Sequence, residues 1–298
     1  MHIRSTRKVF LSFLLILFIQ LSCAQPVHAQ PEKALSTPAK PESVALPIIM
    51  YHQLSENYRC WNDYVVGPEK LETDLDALSA LGFTPVYIKQ LIEYANGRCK
   101  LPEKPILLTF DDGDINFYRL VYPIIKEYNT PVVLSPVAKW VEAASDEEHP
   151  KGAYITFSQA QEMAQSGLVE LGNHTYGLHS CSCTRRGVLS NPGEDPGQYR
   201  TAIFDDVGKA QSLWEKATSS KPLAFTYPYG FYSKLSEEIL RSMGFTVTFT
   251  CYEKVNRISG PESLYLLGRY NRPNGISSEA FFNRINKLVE KANNKKQG

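Results

Sequence analysis

From about residue 45 onward, short apolar runs that read as strands alternate with longer stretches of helical periodicity. This alternation restricts the fold more than any other feature. The strand candidates are Leu46–Tyr51, Pro85–Ile88, Ile106–Phe110, Val132–Val137, Val169–Gly172, Leu223–Tyr227, Phe245–Cys251 and Leu264–Arg269. Between them, Pro68 opens a helix with Leu71, Leu75, Leu78 and Leu81 at helical spacing before Gly82 stops it. Tyr199, Ile203, Val207, Ala210, Leu213 and Trp214 share one face of a second helix. Others are expected from about Ser233 to Met243 and from about Ser278 to Ala292. The expectation is an α/β fold: a distorted (β/α) barrel of about seven strands in a single domain, with a doubly wound open sheet as the alternative. Either arrangement gathers chemistry at the C-terminal ends of the strands.

Four of these runs end in residues suited to chemistry. The first, Leu107-Leu108-Thr109-Phe110-Asp111-Asp112-Gly113, closes with two adjacent carboxylates. Neighbours on an extended chain point to opposite sides, so one aspartate can hold a metal while the other handles a proton. The second, Leu171-Gly172-Asn173-His174-Thr175-Tyr176-Gly177-Leu178-His179, carries two histidines too far apart for one helix face. A turn through Gly177 can converge them, and with an aspartate they form a two-histidine, one-carboxylate set that leaves positions for water and substrate. The third is Thr226-Tyr227-Pro228-Tyr229-Gly230, where Pro228 fixes the backbone and the Tyr229 amide can face a developing oxyanion. The fourth, Pro47-Ile48-Ile49-Met50-Tyr51-His52, ends in a histidine that reads equally as a buried hydrogen-bonding group or as an acid-base group.

The N-terminus has another purpose. Arg4, Arg7 and Lys8 precede an apolar run from Val9 to Ile19, followed by Val27-His28-Ala29, the layout of a cleaved secretory signal over residues 1–29. The run is short for a membrane span. A secreted or cell-surface location is expected, with anchoring through an uncleaved leader or a lipidated Cys23 as alternatives. Residues 30–44, with Pro31, Pro38 and Pro41, read as a flexible linker; residues 45–292 form the main domain and 293–298 a polar tail. The chain carries a net charge of +1, and losing the three basic leader residues leaves it near neutral. No overall basic excess is available for nucleic acid, and no stable protein partner is expected. Cys60, Cys99, Cys181, Cys183 and Cys251 would remain, an odd number whose spacing fixes no pairing.

Taken together, these segments resemble the polysaccharide deacetylases of carbohydrate esterase family 4. Thr109-Phe110-Asp111-Asp112-Gly113 is similar to the family's first motif. The histidine pair is similar to the second in its longer-spaced form, which, with Ile49-Met50-Tyr51-His52, is found in exported poly-N-acetylglucosamine deacetylases. The resemblance runs over about residues 45–290. It implies a divalent metal, zinc by preference with cobalt or nickel as alternatives, held by Asp112, His174 and His179, with Asp111 as general base and the Tyr229 amide at the oxyanion. The implied activity is hydrolytic removal of N-acetyl groups from an N-acetylglucosamine polymer such as peptidoglycan, a chitin-like chain or poly-N-acetylglucosamine, so the expected partner is an N-acetylated glycan. Alternatives are a glycan-binding protein that keeps the fold without turnover, and a deacetylase of small acetylated compounds.

The sequence departs from that pattern twice. Thr226 stands where better-known members carry an arginine that orients the base, and no histidine follows His179 to serve as the late general acid. Arg269 and Arg272 are candidate replacements for the missing positive charge, and His52 is the candidate acid.

Overall fold

The computed structural model describes residues 41–146, 153–182 and 185–294, all within the compact unit Pro38–Gly298. The leader, most of the linker, Cys183 and the last four residues lie outside the described residues.

Twelve short strands are described: β1 (Val44–Leu46), β2 (Ile48–Tyr51), β3 (Gln53–Leu54), β4 (Val65–Val66), β5 (Thr84–Pro85), β6 (Pro105–Asp112), β7 (Val132–Pro136), β8 (Val169–Leu171), β9 (Ala224–Thr226), β10 (Val247–Phe249), β11 (Asn256–Ile258) and β12 (Tyr270–Asn271). They alternate with α1 (Pro68–Ala80), α2 (Ile88–Ala95), α3 (Tyr122–Glu127), α4 (Ala138–Ala144), α5 (Phe157–Gln165), α6 (Pro196–Thr218), α7 (Lys234–Ser242) and α8 (Ser278–Asn294).

The central sheet runs β12-β2-β6-β7-β8, all parallel, with β5 added beside the start of β6. Beyond β8 the pairing continues through a single bridge from Asn173 to Phe225 of β9, which pairs in parallel with β10. Phe249 of β10 then bridges Leu267, three residues before β12. Seven strands are therefore linked in sequence, some by full ladders and some by single bridges, which is the distorted (β/α) barrel that the alternation predicts.

The strand β6 is buried along almost its whole length because it lies inside this sheet with helices outside. Ile106, Leu108 and Phe110 join one apolar cluster, and Leu107 joins a second with Leu46, Ile48 and Val133. This two-sided burial explains why β6 reads as a continuous apolar run up to its carboxylates.

The helices follow their signals closely. Pro68 sits at the first turn of α1, and Leu71, Leu75 and Leu78 are its buried stripe. Asp195 and Ser233 accept backbone amides at the N-termini of α6 and α7. The last helix runs to Asn294, two residues beyond the stretch its periodicity indicates.

Three strand expectations need correction. Of Pro85–Ile88 only Pro85 is in a strand, since β5 ends there and Ile88 already opens α2. The run Leu46–Tyr51 is broken at Pro47: β1 pairs antiparallel with β11, while β2 pairs in parallel with β6 and β12. Leu264–Arg269 is not a strand. It follows a 3-10 turn (Pro261–Leu264), Leu266 has φ +53°, Leu267 makes a single bridge, and a continuous ladder begins only at Tyr270. Leu264 and Leu267 fill the core from irregular backbone, so their apolar character records burial and not extension.

Candidate metal centre

The strand ends deliver the four sequence-marked segments to one end of the barrel. Register pairs Asp111 with Ser135 and Asp112 with Pro136, so both aspartates lie at the C-terminal edge of β6. At Asp112 the chain turns sharply: φ is +71° there and +82° at Gly113. The turn aims the Asp112 carboxylate away from Asp111 toward the histidines.

Asp112 Oδ1 lies 3.6 Å from His174 Nε2 and 3.3 Å from His179 Nε2. One ligand atom from each residue falls within a 4.8 Å group, so three donors face a common point. His174 is fully fixed: its Nδ1 donates to the Thr226 carbonyl at 2.8 Å, which leaves Nε2 as the ring nitrogen that faces Asp112. His179 is packed between the rings of Trp140 and Tyr229, with centroids at 5.0 and 4.7 Å.

The chemistry of this donor set fits a divalent cation. Asp112 Oδ1 is buried yet has no hydrogen-bond partner among the described residues, an expensive arrangement unless something else meets it. Two neutral imidazoles and one carboxylate suit zinc and other borderline metals and leave positions open for water and substrate. Burial and the neighbouring His174 lower His179 to about 4, so it is neutral and ready to ligate at ordinary pH. Burial opposes charge on His174, but Asp112 and Asp111 outweigh it and raise the ring above its usual range. Ligation at this ring would compete with its protonation.

Asp111 faces a different partner. Arg269 Nη1 and Nη2 donate to its two carboxylate oxygens at 2.8 Å each, and Nη1 also reaches Thr109 Oγ1 while Nε donates to the Thr250 carbonyl. Burial alone would raise the Asp111 carboxyl, but the guanidinium outweighs it and holds the group at about 2. The orienting charge absent at Thr226 is thus supplied from the segment before β12. Thr226 itself has two tasks here: its carbonyl fixes His174, and its hydroxyl pairs with Ser135 at 2.8 Å.

Arg272, the other candidate for that charge, is elsewhere. It closes on both oxygens of Asp74 at 2.8 Å, and Tyr51 donates to the same carboxylate, forming a buried structural network. His52 follows β2 beside the site; burial lowers its pKa, and its Nδ1 has no partner among the described residues. The Tyr64 ring meets it edge-on at 5.0 Å. Tyr229 takes up a left-handed backbone conformation (φ +58°) in the tight Pro228–Gly230 turn, and its hydroxyl lies 3.4 Å from His179 Nδ1. Cys60, Cys99, Cys181 and Cys251 are free thiols, and none of them is in the three-residue donor group. Sequence reasoning missed Trp140, which contacts His179 from α4 and belongs to no motif.

A family model described as polysaccharide deacetylase matches residues 98–248, just over half of the chain, including both aspartates, both histidines and Tyr229. The chain belongs to the polysaccharide deacetylase family. Over 231 residues it is 30% identical to the poly-beta-1,6-N-acetyl-D-glucosamine N-deacetylase of Escherichia coli (strain K12), an alignment covering 71% of this chain and 34% of that protein. It therefore spans about a third of that relative's length. A Staphylococcus aureus (strain MSSA476) protein of the same name is 24% identical over 192 residues, covering 64% of this chain and 63% of that one. Among solved structures, a de-N-acetylase from Aggregatibacter actinomycetemcomitans aligns with TM-score 0.69 and 25% identity, covering 80% of this chain and 99% of that one. IcaB from Ammonifex degensii aligns with TM-score 0.68 and 27% identity, covering 83% and 97%. For a polysaccharide deacetylase, His52 and Arg269 are notable because both lie outside the span of the family match.

Proposed function

We propose that the protein is a zinc-dependent N-deacetylase acting on poly-β-1,6-N-acetylglucosamine or a closely related N-acetylglucosamine polymer. The observation that carries this reading is the convergence of His174 and His179 on the unpartnered Asp112 oxygen, beside an Asp111 clamped by Arg269. The substrate is inferred from the E. coli and S. aureus relatives, both named poly-beta-1,6-N-acetyl-D-glucosamine N-deacetylases. Asp112, His174 and His179 would hold the cation. When bound, it lowers the pKa of a coordinated water and polarises the acetamide carbonyl.

The chain's own groups divide the remaining work. Asp111 stays ionised at all ordinary pH values, and the two Arg269 bonds fix which way its oxygens point, so it is available to accept a proton from the attacking water. A carboxylate held this low is a weak base, so the proton must move on. His52, neutral and with a free ring nitrogen, can receive a proton and deliver it to the departing amine. Tyr229 stands at the rim, where its backbone amide would donate to the carbonyl oxygen as negative charge develops. Two departures, Thr226 in place of an arginine and the absence of a late histidine, would suit a binding protein without turnover; the first loses its force because Arg269 supplies that charge.

The test is acetate release from acetylated β-1,6-linked glucosamine oligomers, with chitin oligomers and peptidoglycan in parallel, on protein stripped with chelator and reloaded with zinc, cobalt or nickel. The expected result is release restored by metal and greatest on the β-1,6-linked substrate. A folded, metal-loaded sample that releases no acetate from any of the three would overturn the proposal.

A further inference from the structure

The two histidine ligands are separated by a loop and not by a helix turn, so something must hold that loop in shape. The spacing from His174 to His179 leaves Thr175, Tyr176, Gly177 and Leu178 to carry the chain out and back, and Thr175 has a left-handed φ of +73°. Asn173 secures the start of the loop: its side-chain oxygen accepts the Thr175 amide, and its Nδ2 donates to Gln211 and to the Val207 carbonyl on α6. The turn itself is held by a single carboxylate. Asp206, on α6, accepts the Tyr176 amide on Oδ1 and the Gly177 amide on Oδ2, both at 2.8 Å. The same loop offers its Thr175 and Tyr176 carbonyls to the amides of Ala138 and Lys139 at the start of α4, the helix whose Trp140 packs on His179.

We propose that Asp206 is a positioning residue for the metal centre, acting through the backbone of the 176–178 turn to set His179 against His174 and Asp112. This inference rests on the metal-site reading above. The physical argument concerns freedom. Four loop residues between two ligands can adopt many conformations, and few of them present both Nε2 atoms within reach of one ion. A carboxylate with both oxygens engaged by successive amides selects one of these before the ion arrives. His174 needs no such help, because β8 and the Thr226 carbonyl already fix it. The dependence on Asp206 therefore falls on His179.

The loop's side chains do not duplicate this role. Tyr176 donates to Glu142 and has the Lys209 ammonium over its ring at 3.5 Å, contacts that pin a side chain at the surface and do not by themselves set the peptide planes of the turn. Asp205, the preceding residue on α6, is exposed, so it provides a control for the loss of negative charge alone.

The experiment compares zinc affinity, by competition with a chromophoric chelator, for wild type, Asp206→Ala and Asp205→Ala, with thermal unfolding of each metal-free protein alongside. Losing a group that orients a metal ligand typically weakens binding by about 10- to 100-fold. Asp206→Ala is expected to lose zinc affinity in that range while its metal-free unfolding temperature stays close to wild type, and Asp205→Ala is expected to bind as wild type does. Because the ligand loop must then order on binding, zinc should also raise the melting temperature of Asp206→Ala less than that of wild type. Wild-type zinc affinity in Asp206→Ala, or an equal loss in Asp205→Ala, overturns the proposal. Chelator competition needs no turnover: protein that binds zinc tightly but releases no acetate would refute the deacetylase reading and leave the role of Asp206 standing.

Discussion

Arg269 grips both carboxylate oxygens of Asp111 from 158 residues away, with both nitrogen-to-oxygen distances at 2.8 Å and both side chains buried. A planar guanidinium fixes the plane of its partner as well as its charge, which an ammonium cannot do. Arg269→Lys is therefore expected to keep the charge balance and lose the alignment, lowering acetate release by about 100-fold, the scale associated with misplacing a reacting group by about an ångström. Arg269→Ala leaves Asp111 buried without its counter-charge and is expected to cost about 3 to 5 kcal/mol of stability. Denaturant titration and acetate assays on the two variants separate the effects. Full turnover in Arg269→Lys would show that Asp111 needs the charge and not the fork.

The same pair gives the metal-free protein a defined acid response. The Asp111 carboxyl is held at about 2 in the folded chain against an ordinary value near 3.9 when unfolded. A depressed folded pKa contributes stability that is fully present above the unfolded value and lost as pH falls through the folded one. Between roughly pH 4 and pH 2 the unfolded chain takes up the proton first, so unfolding gains ground. Chelator-treated wild type is expected to lose on the order of 2 kcal/mol over this window relative to Asp111→Asn, whose side chain does not titrate. Urea titrations at several pH values check the sign directly, since the stability gap between the two proteins should narrow as pH falls.

Much of this was legible before any geometry. Asp111 and Asp112 stand at the end of an apolar run that becomes β6, and they meet different partners as their adjacency led one to expect, although the left-handed turn at Asp112 is what aims the second carboxylate. Helices α1 and α7 are announced by Pro68 and Ser233 and stopped near Gly82 and Gly244, because caps are local chemistry. What sequence could not supply was pairing at a distance. Arg269 and Arg272 sit three residues apart in one segment, yet one meets Asp111 and the other Asp74, a choice made by the irregular backbone between Leu264 and Tyr270. Asp206 gave no signal at all: a carboxylate within a long helix reads as solvated surface until the histidine loop packs against it.

The Arg272 pairing has a consequence of its own. Arg272 and Asp74 are both fully buried, and Tyr51 adds a third bond to the same carboxylate. Asp74→Ala strands a buried guanidinium and is expected to cost about 3 to 5 kcal/mol. None of these groups belongs to the donor set, so zinc affinity of the folded fraction should be unchanged. A variant that kept its stability but lost zinc would move this network from scaffold to site.

Gly113 completes the aspartate run for a steric reason. Its φ of +82° disfavours any side chain, and a Cβ placed there would lie 2.6 Å from Pro136 Cβ on the neighbouring strand. Gly113→Ala therefore combines backbone strain with overpacking and is expected to cost about 2 to 4 kcal/mol. Gly167→Ala is the matched comparison: φ is similar at +78°, but the space around it is open, so only the backbone part, about 1 to 2 kcal/mol, should appear. The difference between the two isolates the clash with Pro136. Since Gly113 directly follows Asp112, relief of that clash by backbone movement shifts the Asp112 carboxylate away from His174 and His179, so Gly113→Ala should also weaken zinc binding in chelator competition. Gly167→Ala should not.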